Sequence, residues 1–283
     1  MVHRWFSNIM AALVTALALV GCANNGGELP PVNPLDPQLD ERRLQRANAQ
    51  QLYKAARSAL DAGDNATALT LYSRLDASYP FTPEATQGQL ESIYARFRNF
   101  EPEAASAAAD RFLRAHPRHP HVDYVLYLRG LIFFDSTAVD LLDLFDVDSA
   151  GRDPVDARRS FQEFSRLLQT YPNSAYSADA RRRMLWLRER IAEHYFGIAE
   201  YYRWRGACVA AIRRGHEILD EFRQTRVVLD TLGLLTECYA TLGLDEQAAE
   251  MARLLVTNKA RWDNSPAASQ PEPAGDAPAP PAL

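Results

Sequence analysis

The sequence predicts an all-α fold built of stacked helical hairpins. Apolar residues recur at the helical spacing i, i+3, i+4 and i+7 through most of the chain. No alternating run of β-branched residues indicates a strand. Short turns that contain glycine or proline separate the apolar stripes, and one pattern of small and aromatic residues returns along the chain. A pattern that returns at a regular interval indicates a repeat protein.

The clearest hairpin lies in residues 52–80. Its first helix carries an apolar stripe formed by Leu52, Ala55, Ala56 and Ala59. Gly63 begins the turn Gly63-Asp64-Asn65, because glycine can adopt the left-handed conformation that ends a helix. A second helix, with Ala68, Tyr72 and Leu75, ends before Pro80. So short a hairpin cannot bury its apolar face alone and needs neighbours.

The same spacing returns in two later segments. The residues that keep it are Tyr195, Ile198, Ala199, Tyr202, Gly206, Ala211, Gly215 and Ile218, and then Leu232, Leu235, Thr236, Tyr239, Gly243, Ala248, Ala252 and Leu255. These segments resemble the tetratricopeptide repeat, whose period is about 34 residues. The resemblance implies a superhelix of about five hairpins over residues 46–262. Three unrelated amphipathic hairpins are the alternative.

Two less regular repeats lie between these segments. One runs from Leu90 to Pro117, and the next pairs a helix beginning near Tyr124 with a helix that starts after Pro154. About 20 extra residues separate the helices of the second pair. They include four aspartates, Asp140, Asp143, Asp146 and Asp148. Because the glycine and terminal glutamate of a calcium loop are missing, we favour an amphipathic surface excursion over a calcium site.

The fourth repeat begins with an unusually long helix. Residues 175–203 contain no proline, which predicts a helix of roughly 40 Å. Its first half is basic, with Arg181, Arg182, Arg183, Arg188 and Arg190. These arginines could form a solvated face that pairs with Glu189 and Glu193, or a docking face for an acidic partner.

The two ends of the chain differ from the repeats. Residues 1–21 predict a signal peptide that is cleaved, because Arg4 precedes a short apolar run. That run ends in Leu19-Val20-Gly21-Cys22, which resembles the bacterial lipobox and implies a lipid anchor on Cys22. Residues 22–45 are rich in proline and asparagine and predict a lipidated flexible tether. Residues 263–283, rich in proline and alanine, predict a disordered tail without a site.

Composition and motifs argue against several function classes. A formal net charge of −5 argues against a broad nucleic-acid surface. We find no nucleotide-binding loop and no nucleophile with a base partner, so the sequence predicts neither an enzyme nor a cofactor. His116, His119 and His121 could suggest a metal, but two prolines constrain them and no thiol or carboxylate is interleaved, which favours a solvated loop.

Two cysteines of the repeats leave an alternative open. Cys208 and Cys238 should lie on adjacent helices, where either a disulfide or two buried thiols can exist, and we favour the thiols.

Loop residues that a generic tetratricopeptide protein does not need give a closer resemblance. Together with the lipobox they are Gly63-Asp64, Tyr79-Pro80-Phe81, Asp110-Arg111-Phe112, Pro117-x-His119-Pro120, Asp123-Tyr124-Val125, Arg152-Asp153-Pro154, Tyr171-Pro172-Asn173-Ser174 and Ala199-Glu200-Tyr201-Tyr202. From Cys22 to about Ala260, the pattern resembles the outer-membrane protein assembly factor BamD family, also known as ComL. The C-terminal tail is longer and richer in proline than this family suggests.

The resemblance implies a function at the periplasmic face of the outer membrane. Members of the family are scaffolds and substrate receptors of the β-barrel assembly machinery: they dock on the periplasmic domains of BamA, associate with BamC and BamE, and receive unfolded outer-membrane proteins. The residues that it implies for substrate binding are Tyr79, Phe81 and Thr82. The residues that it implies for the BamA face are Ala199, Glu200, Tyr201, Tyr202 and Gly206. A lipoprotein that pilots a secretin ring is the alternative function.

Overall fold

The computed structural model describes residues 37–138, 154–264 and 278–281. These residues form ten helices and no strand. The helices are α1 (Pro37–Asp61), α2 (Asn65–Ser78), α3 (Pro83–Arg98), α4 (Pro102–Ala115), α5 (Val122–Ala138), α6 (Val155–Thr170), α7 (Ser177–Trp204), α8 (Cys208–Glu221), α9 (Val227–Thr241) and α10 (Asp245–Asp263). The chain divides into two compact units, residues 1–48 and 49–283. The second unit carries the repeats described below.

Consecutive helices form five hairpins, as the sequence predicts. Each second helix packs against the first helix of the next hairpin. The first helices of neighbouring hairpins also touch, α3 on α5, α5 on α7 and α7 on α9, whereas no comparable contact joins second helices in the described parts of the chain. The first helices therefore form the inner face of the stack, the surface on which repeat proteins of this kind bind extended partners.

The turns of three hairpins contain the expected glycines. Gly63, Gly206 and Gly243 have φ values of 80°, 72° and 71°, in the left-handed region that only glycine adopts without strain. The turn of the second hairpin instead places Phe100 at φ 58°. Its side chain is 90% exposed, so it presents an aromatic ring to solvent at the C-terminal end of α3.

The core runs along the stack as three clusters of buried side chains. The first joins α1, α2 and α3, the largest joins α3 to α7, and the third joins α7 to α9. The largest contains the buried rings of Tyr124, Tyr127, Phe134 and Phe164. Each cluster is shared by adjacent hairpins, which is why one hairpin alone would leave its apolar face exposed.

The helix that leads into the first repeat begins before the predicted domain boundary. Helix α1 begins at Pro37, nine residues before the predicted boundary at residue 46. Proline suits the first turn of a helix because its missing N–H needs no partner there, so the last proline of the tether begins the helix. The residues after it, 40–46, are mostly charged residues and leucine, and arginine, glutamate and leucine are good helix formers.

Helix α7 has 28 residues, about 42 Å, which confirms the long helix. Its arginines pair only partly as predicted. Arg190 contacts Glu193 at 3.1 Å, but Arg182 and Arg183 contact Asp179. Glu189 instead accepts the backbone N–H of Arg226 at 2.8 Å, at the start of α9. Two free backbone donors at a helix start attract a carboxylate more strongly than a solvated arginine does.

The two cysteines of the repeats are free and buried. Burial, and then the hydrogen bond that its S–H donates to the neighbouring Cys208, raises the pKa of the Cys238 thiol to about 12. The Cys238 thiol therefore stays protonated at neutral pH. Cys22 and the four aspartates of the insertion lie outside the described residues. No helix in the described ranges is long and apolar enough to cross a membrane.

Candidate peptide-binding site

A buried carboxylate organises the inner face of the first two hairpins. Glu91 of α3 is fully buried, although it lies within the apolar stripe of its helix. Its Oε1 accepts hydrogen bonds from Tyr53 Oη at 2.8 Å, Gln87 Nε2 at 2.8 Å and Arg57 Nη1 at 3.0 Å. Tyr72 Oη of α2 donates to Oε2. Four donors from three helices thus satisfy one carboxylate, as a buried charge requires.

Arg57 and Glu91 form the salt bridge of this network. Burial alone would lower the pKa of the Arg57 guanidinium, but Glu91 and Asp61 raise it above its ordinary value. Burial, followed by the hydrogen bond to Glu91, raises the pKa of the Tyr72 hydroxyl far above its usual range. Tyr72 therefore remains a donor and Arg57 a cation at physiological pH. Because Glu91 holds both Arg57 and Gln87, it fixes the side chains that line the face.

The same face holds a segment of the C-terminal tail, residues 278–281. Tyr124 Oη of α5 donates to the carbonyl of Pro278 at 3.0 Å, and Gln87 Nε2 donates to the carbonyl of Pro281 at 2.7 Å. Arg57 Nη1 lies 3.4 Å from the carbonyl of Pro280. We name Arg57, Gln87, Glu91 and Tyr124 the inner-face site.

Residues 278–281 belong to the tail that the sequence predicts to be disordered and without a site, yet the structure places them against this face. Pro280 is buried against the domain. The tail has too few large apolar side chains to build a core, which is why composition indicates disorder. A short proline-rich segment can still dock on a preformed face, because it loses little conformational entropy.

The structure separates the three predicted substrate-binding residues by their roles. Phe81 is 99% exposed in the loop before α3. Thr82 caps α3: its Oγ1 accepts the N–H of Ala85 at 3.2 Å and donates to the carbonyl of Tyr79 at 2.9 Å. Tyr79 is half-buried against the first core cluster. Of the three, only Phe81 presents a large side chain to solvent.

Phe81 also lies near the inner-face site along the chain. Gln87 follows Thr82 by five residues of α3, about 7.5 Å along the helix axis. An extended peptide of a few residues therefore has the length to reach from the loop to the site.

The five predicted partner-binding residues also differ in whether their side chains are buried or exposed. Ala199 is buried in the third core cluster, Tyr202 packs against that cluster, and Gly206 forms the turn. Glu200 contacts Arg203 at 3.2 Å on the surface. Tyr201 is 56% exposed. Only Glu200 and Tyr201 offer side chains to a partner.

Further exposed apolar side chains lie at the turns of the last two hairpins, and sequence reasoning missed them. Trp204 is 76% exposed and Val209 is 71% exposed, with Leu242 and Leu244 partly exposed in the last turn. The Tyr201 and Trp204 rings lie 6.4 Å apart. Val209 and Leu242 line one shallow cavity of about 520 Å³ between the two turns. We call Tyr201, Trp204, Val209, Leu242 and Leu244 the C-terminal turn patch.

The histidine loop is more packed than predicted. His119 stacks edge-on against the buried Phe112, with ring centroids 5.2 Å apart, and His116 hydrogen-bonds Gln89 at 3.0 Å. Burial, and then His121 and His116, lower the pKa of His119. No group of three or more metal-ligating side chains is arranged to hold an ion in the part of the chain that the structure describes.

Sequence reasoning missed every member of the inner-face site. Arg57 and Gln87 look like solvated helix residues, and Tyr124 is recognisable only as the start of its repeat and as part of the motif Asp123-Tyr124-Val125. One signal was available: Glu91 interrupts the apolar stripe formed by Leu90 and Ile93. A charged residue in such a stripe indicates a buried pair or a polar network, because an isolated buried charge is too costly.

Comparisons with known proteins agree with this architecture. A family model described as YfiO, outer membrane lipoprotein, matches residues 45–254. An outer membrane protein assembly factor BamD of Neisseria meningitidis serogroup A is 36% identical over 88% of this chain and 90% of its own length. The BamD proteins of Vibrio cholerae serotype O1 and Xylella fastidiosa strain 9a5c are 34% and 32% identical, and the aligned regions cover 88% and 77% of this chain and 97% and 77% of the relatives.

The matched region holds all five hairpins, including both the inner-face site and the C-terminal turn patch. Its identity to several assembly factors, over most of both chains, favours this family over secretin-piloting lipoproteins. The chain belongs to the outer membrane protein assembly factor BamD family.

Proposed function

We propose that this protein is a lipid-anchored scaffold that receives unfolded outer-membrane proteins and presents them to the β-barrel assembly machinery. Membership in the BamD family establishes the coarse function, the assembly of outer-membrane proteins. The finer assignments, to a substrate surface, a docking surface and an anchor, are the proposal. No catalytic step is required, because folding and insertion of the substrate supply the free energy.

The proposed substrate surface rests on the inner-face site together with the exposed ring of Phe81 in the loop before α3. The side chains of three successive first helices donate hydrogen bonds to the carbonyls of an extended segment. A site that binds the backbone of a peptide accepts many peptide sequences. A neighbouring pocket or aromatic ring then selects among them by contacting particular side chains. Barrel proteins end in an extended segment of alternating apolar residues. Phe81 offers such a segment an apolar contact at the end of α3.

Replacing Phe81 with alanine tests this surface. We expect the dissociation constant for a barrel-protein C-terminal peptide to rise about tenfold, because burial of a phenylalanine side chain contributes about 1.5–3 kcal/mol. The thermal unfolding midpoint should not change, since the side chain is 99% exposed. Fluorescence anisotropy of a labelled peptide measures the constant.

Phe100→Ala is the matched control. Phe100 is 90% exposed at the opposite end of α3, so its loss should leave peptide affinity unchanged. If both variants bind the peptide as the wild type does, Phe81 has no part in substrate binding.

The C-terminal turn patch supports docking on a protein partner. Scattered exposed apolar residues are ordinary, but two aromatic rings beside three aliphatic side chains on adjacent turns are typical of an interface. Aromatic residues also dominate the energetics of interface cores. We assign this patch, with Glu200 at its edge, to the periplasmic domains of BamA. BamC and BamE are the further partners, and we assign them no residues.

The proposed anchor is the lipid-modified Cys22. Several acyl chains hold a protein at a membrane far more stably than one chain does. We expect Cys22→Ala to leave the repeats folded and to move the protein into the soluble periplasmic fraction. Fractionation of cells that express the variant measures this, with the circular dichroism of the purified repeats as the control for folding. A variant that stays in the outer-membrane fraction would refute the anchor.

A further inference from the structure

The docked tail has a chemistry that matches the inner-face site. Proline has no backbone N–H, so a proline-rich segment offers its partner only carbonyl acceptors and apolar rings. The groups that face residues 278–281 are a hydroxyl, an amide NH₂ and a guanidinium, all used here as donors. Pro280 is buried between them.

The spacing of the donors also fits an extended chain. Tyr124 of α5 contacts the carbonyl of Pro278, and Gln87 of α3 contacts the carbonyl of Pro281. Three residues of an extended proline-rich chain span about 9 Å. Packed helices lie about 8–10 Å apart, and α3 contacts α5 directly. The distance from Pro278 to Pro281 along the segment therefore matches the distance between α5 and α3.

We propose that the inner-face site is a binding site for extended proline-containing peptides and that residues 278–281 of this chain are its occupant. Glu91 positions the site, since it orients Arg57 and Gln87 while its own oxygens are occupied by protein donors. The tail reaches the site within one chain, so its effective concentration there is on the order of millimolar. A weak intrinsic affinity is enough for occupancy.

If the proposed function holds, the same face receives unfolded outer-membrane proteins. An incoming segment must then displace the tail. The tail would compete for the side-chain donors that bind backbone carbonyls. Only segments with sufficient affinity for the site would then displace it.

The test uses the full mature chain and two aspartate substitutions in neighbouring tail residues. Pro280→Asp places a carboxylate in a buried position, where desolvation expels it, because Arg57, the cation nearest to Pro280, is already paired with Glu91 and Asp61. Ala279→Asp adds the same charge at an exposed position and should leave the tail docked. The probe is a labelled synthetic peptide of residues 276–283, titrated up to about 1 mM.

We expect the Pro280→Asp chain to bind this peptide at least tenfold more tightly than the wild-type and Ala279→Asp chains, because only its site is vacant. Adding Tyr124→Phe to the Pro280→Asp chain should weaken binding about fivefold, the effect of one lost hydrogen bond. Equal affinity in all three chains overturns the proposal. So does a Pro280→Asp chain that binds no peptide up to about 1 mM, because such a site would be mostly empty in the intact chain.

A second peptide separates this proposal from the proposed function. A barrel-protein C-terminal peptide should also bind the Pro280→Asp chain more tightly than the wild-type chain. If that peptide binds no chain while the tail peptide behaves as expected, the peptide site stands and the substrate assignment fails. If it binds every chain equally while the tail peptide does not bind, the substrate assignment stands and tail occupancy fails.

Discussion

Replacing Glu91 with glutamine should lower the free energy of unfolding by roughly 3 kcal/mol. Glutamine keeps the size of the side chain but removes the charge that pairs with Arg57, and it adds an NH₂ donor to a site that already holds four donors. This loss of stability lies at the lower end of the range for breaking a buried ion pair, because the Arg57 side chain is 21% exposed and water can partly hydrate it. For a domain of this size, the melting temperature should fall by about 6–12 °C.

Asp61→Asn is the control for this change. Asp61 contacts Arg57 Nε at 2.9 Å, but its side chain is 59% exposed. An exposed ion pair contributes about 0–1 kcal/mol, so this variant should melt within about 4 °C of the wild type. Circular dichroism against temperature measures both. Equal melting temperatures for the two variants would show that the Glu91 network does not stabilise the fold.

Replacing Gly130 with alanine should destabilise the domain by about 3 kcal/mol or more. A Cβ at this position of α5 would lie 2.3 Å from Phe164 Cε1 and 2.5 Å from Cδ1 of the same ring. That ring is fully buried and packs against Tyr127, so it has no free space into which to move. Relief therefore requires α5 and α6 to separate, which would open the largest core cluster. Urea unfolding should show a lower midpoint.

Gly233→Ala is the matched control, with an effect of opposite sign. Gly233 lies inside α9, and a Cβ there meets no atom within 4 Å. Alanine is favoured over glycine in a helix interior by about 1 kcal/mol, so this variant should raise the midpoint. A Gly130→Ala protein as stable as the wild type would mean that α5 and α6 pack less closely than described.

The repeat pattern made most of the fold predictable. The helical spacing, the glycines at 63, 206 and 243 and the helix-ending prolines are local signals, and each produced a helix or turn where predicted. The helix start at Pro37 was not predicted because proline both excludes a helix interior and favours a helix start. Whether a proline excludes or begins a helix depends on the helix propensity of the residues that follow it, which overall composition does not show.

The candidate site was much less predictable. Phe81 is recognisable as a loop aromatic residue, but its exposure depends on how the hairpins stack. The inner-face site combines side chains from α1, α3 and α5, and their meeting depends on contacts between repeats about 34 residues apart. The tail adds a partner from the far end of the chain. A low apolar content correctly predicts that such a segment builds no core, but it does not exclude docking on a core that another segment provides.

Copurification tests the central claim most directly, namely that this stack of hairpins joins unfolded chains to the barrel assembly machinery at the outer membrane. The full-length chain, tagged and extracted from outer membranes with detergent, should recover BamA. A Trp204→Glu chain should recover much less, because a charge in the C-terminal turn patch opposes burial of its rings. Recovery of a secretin without BamA would contradict the account.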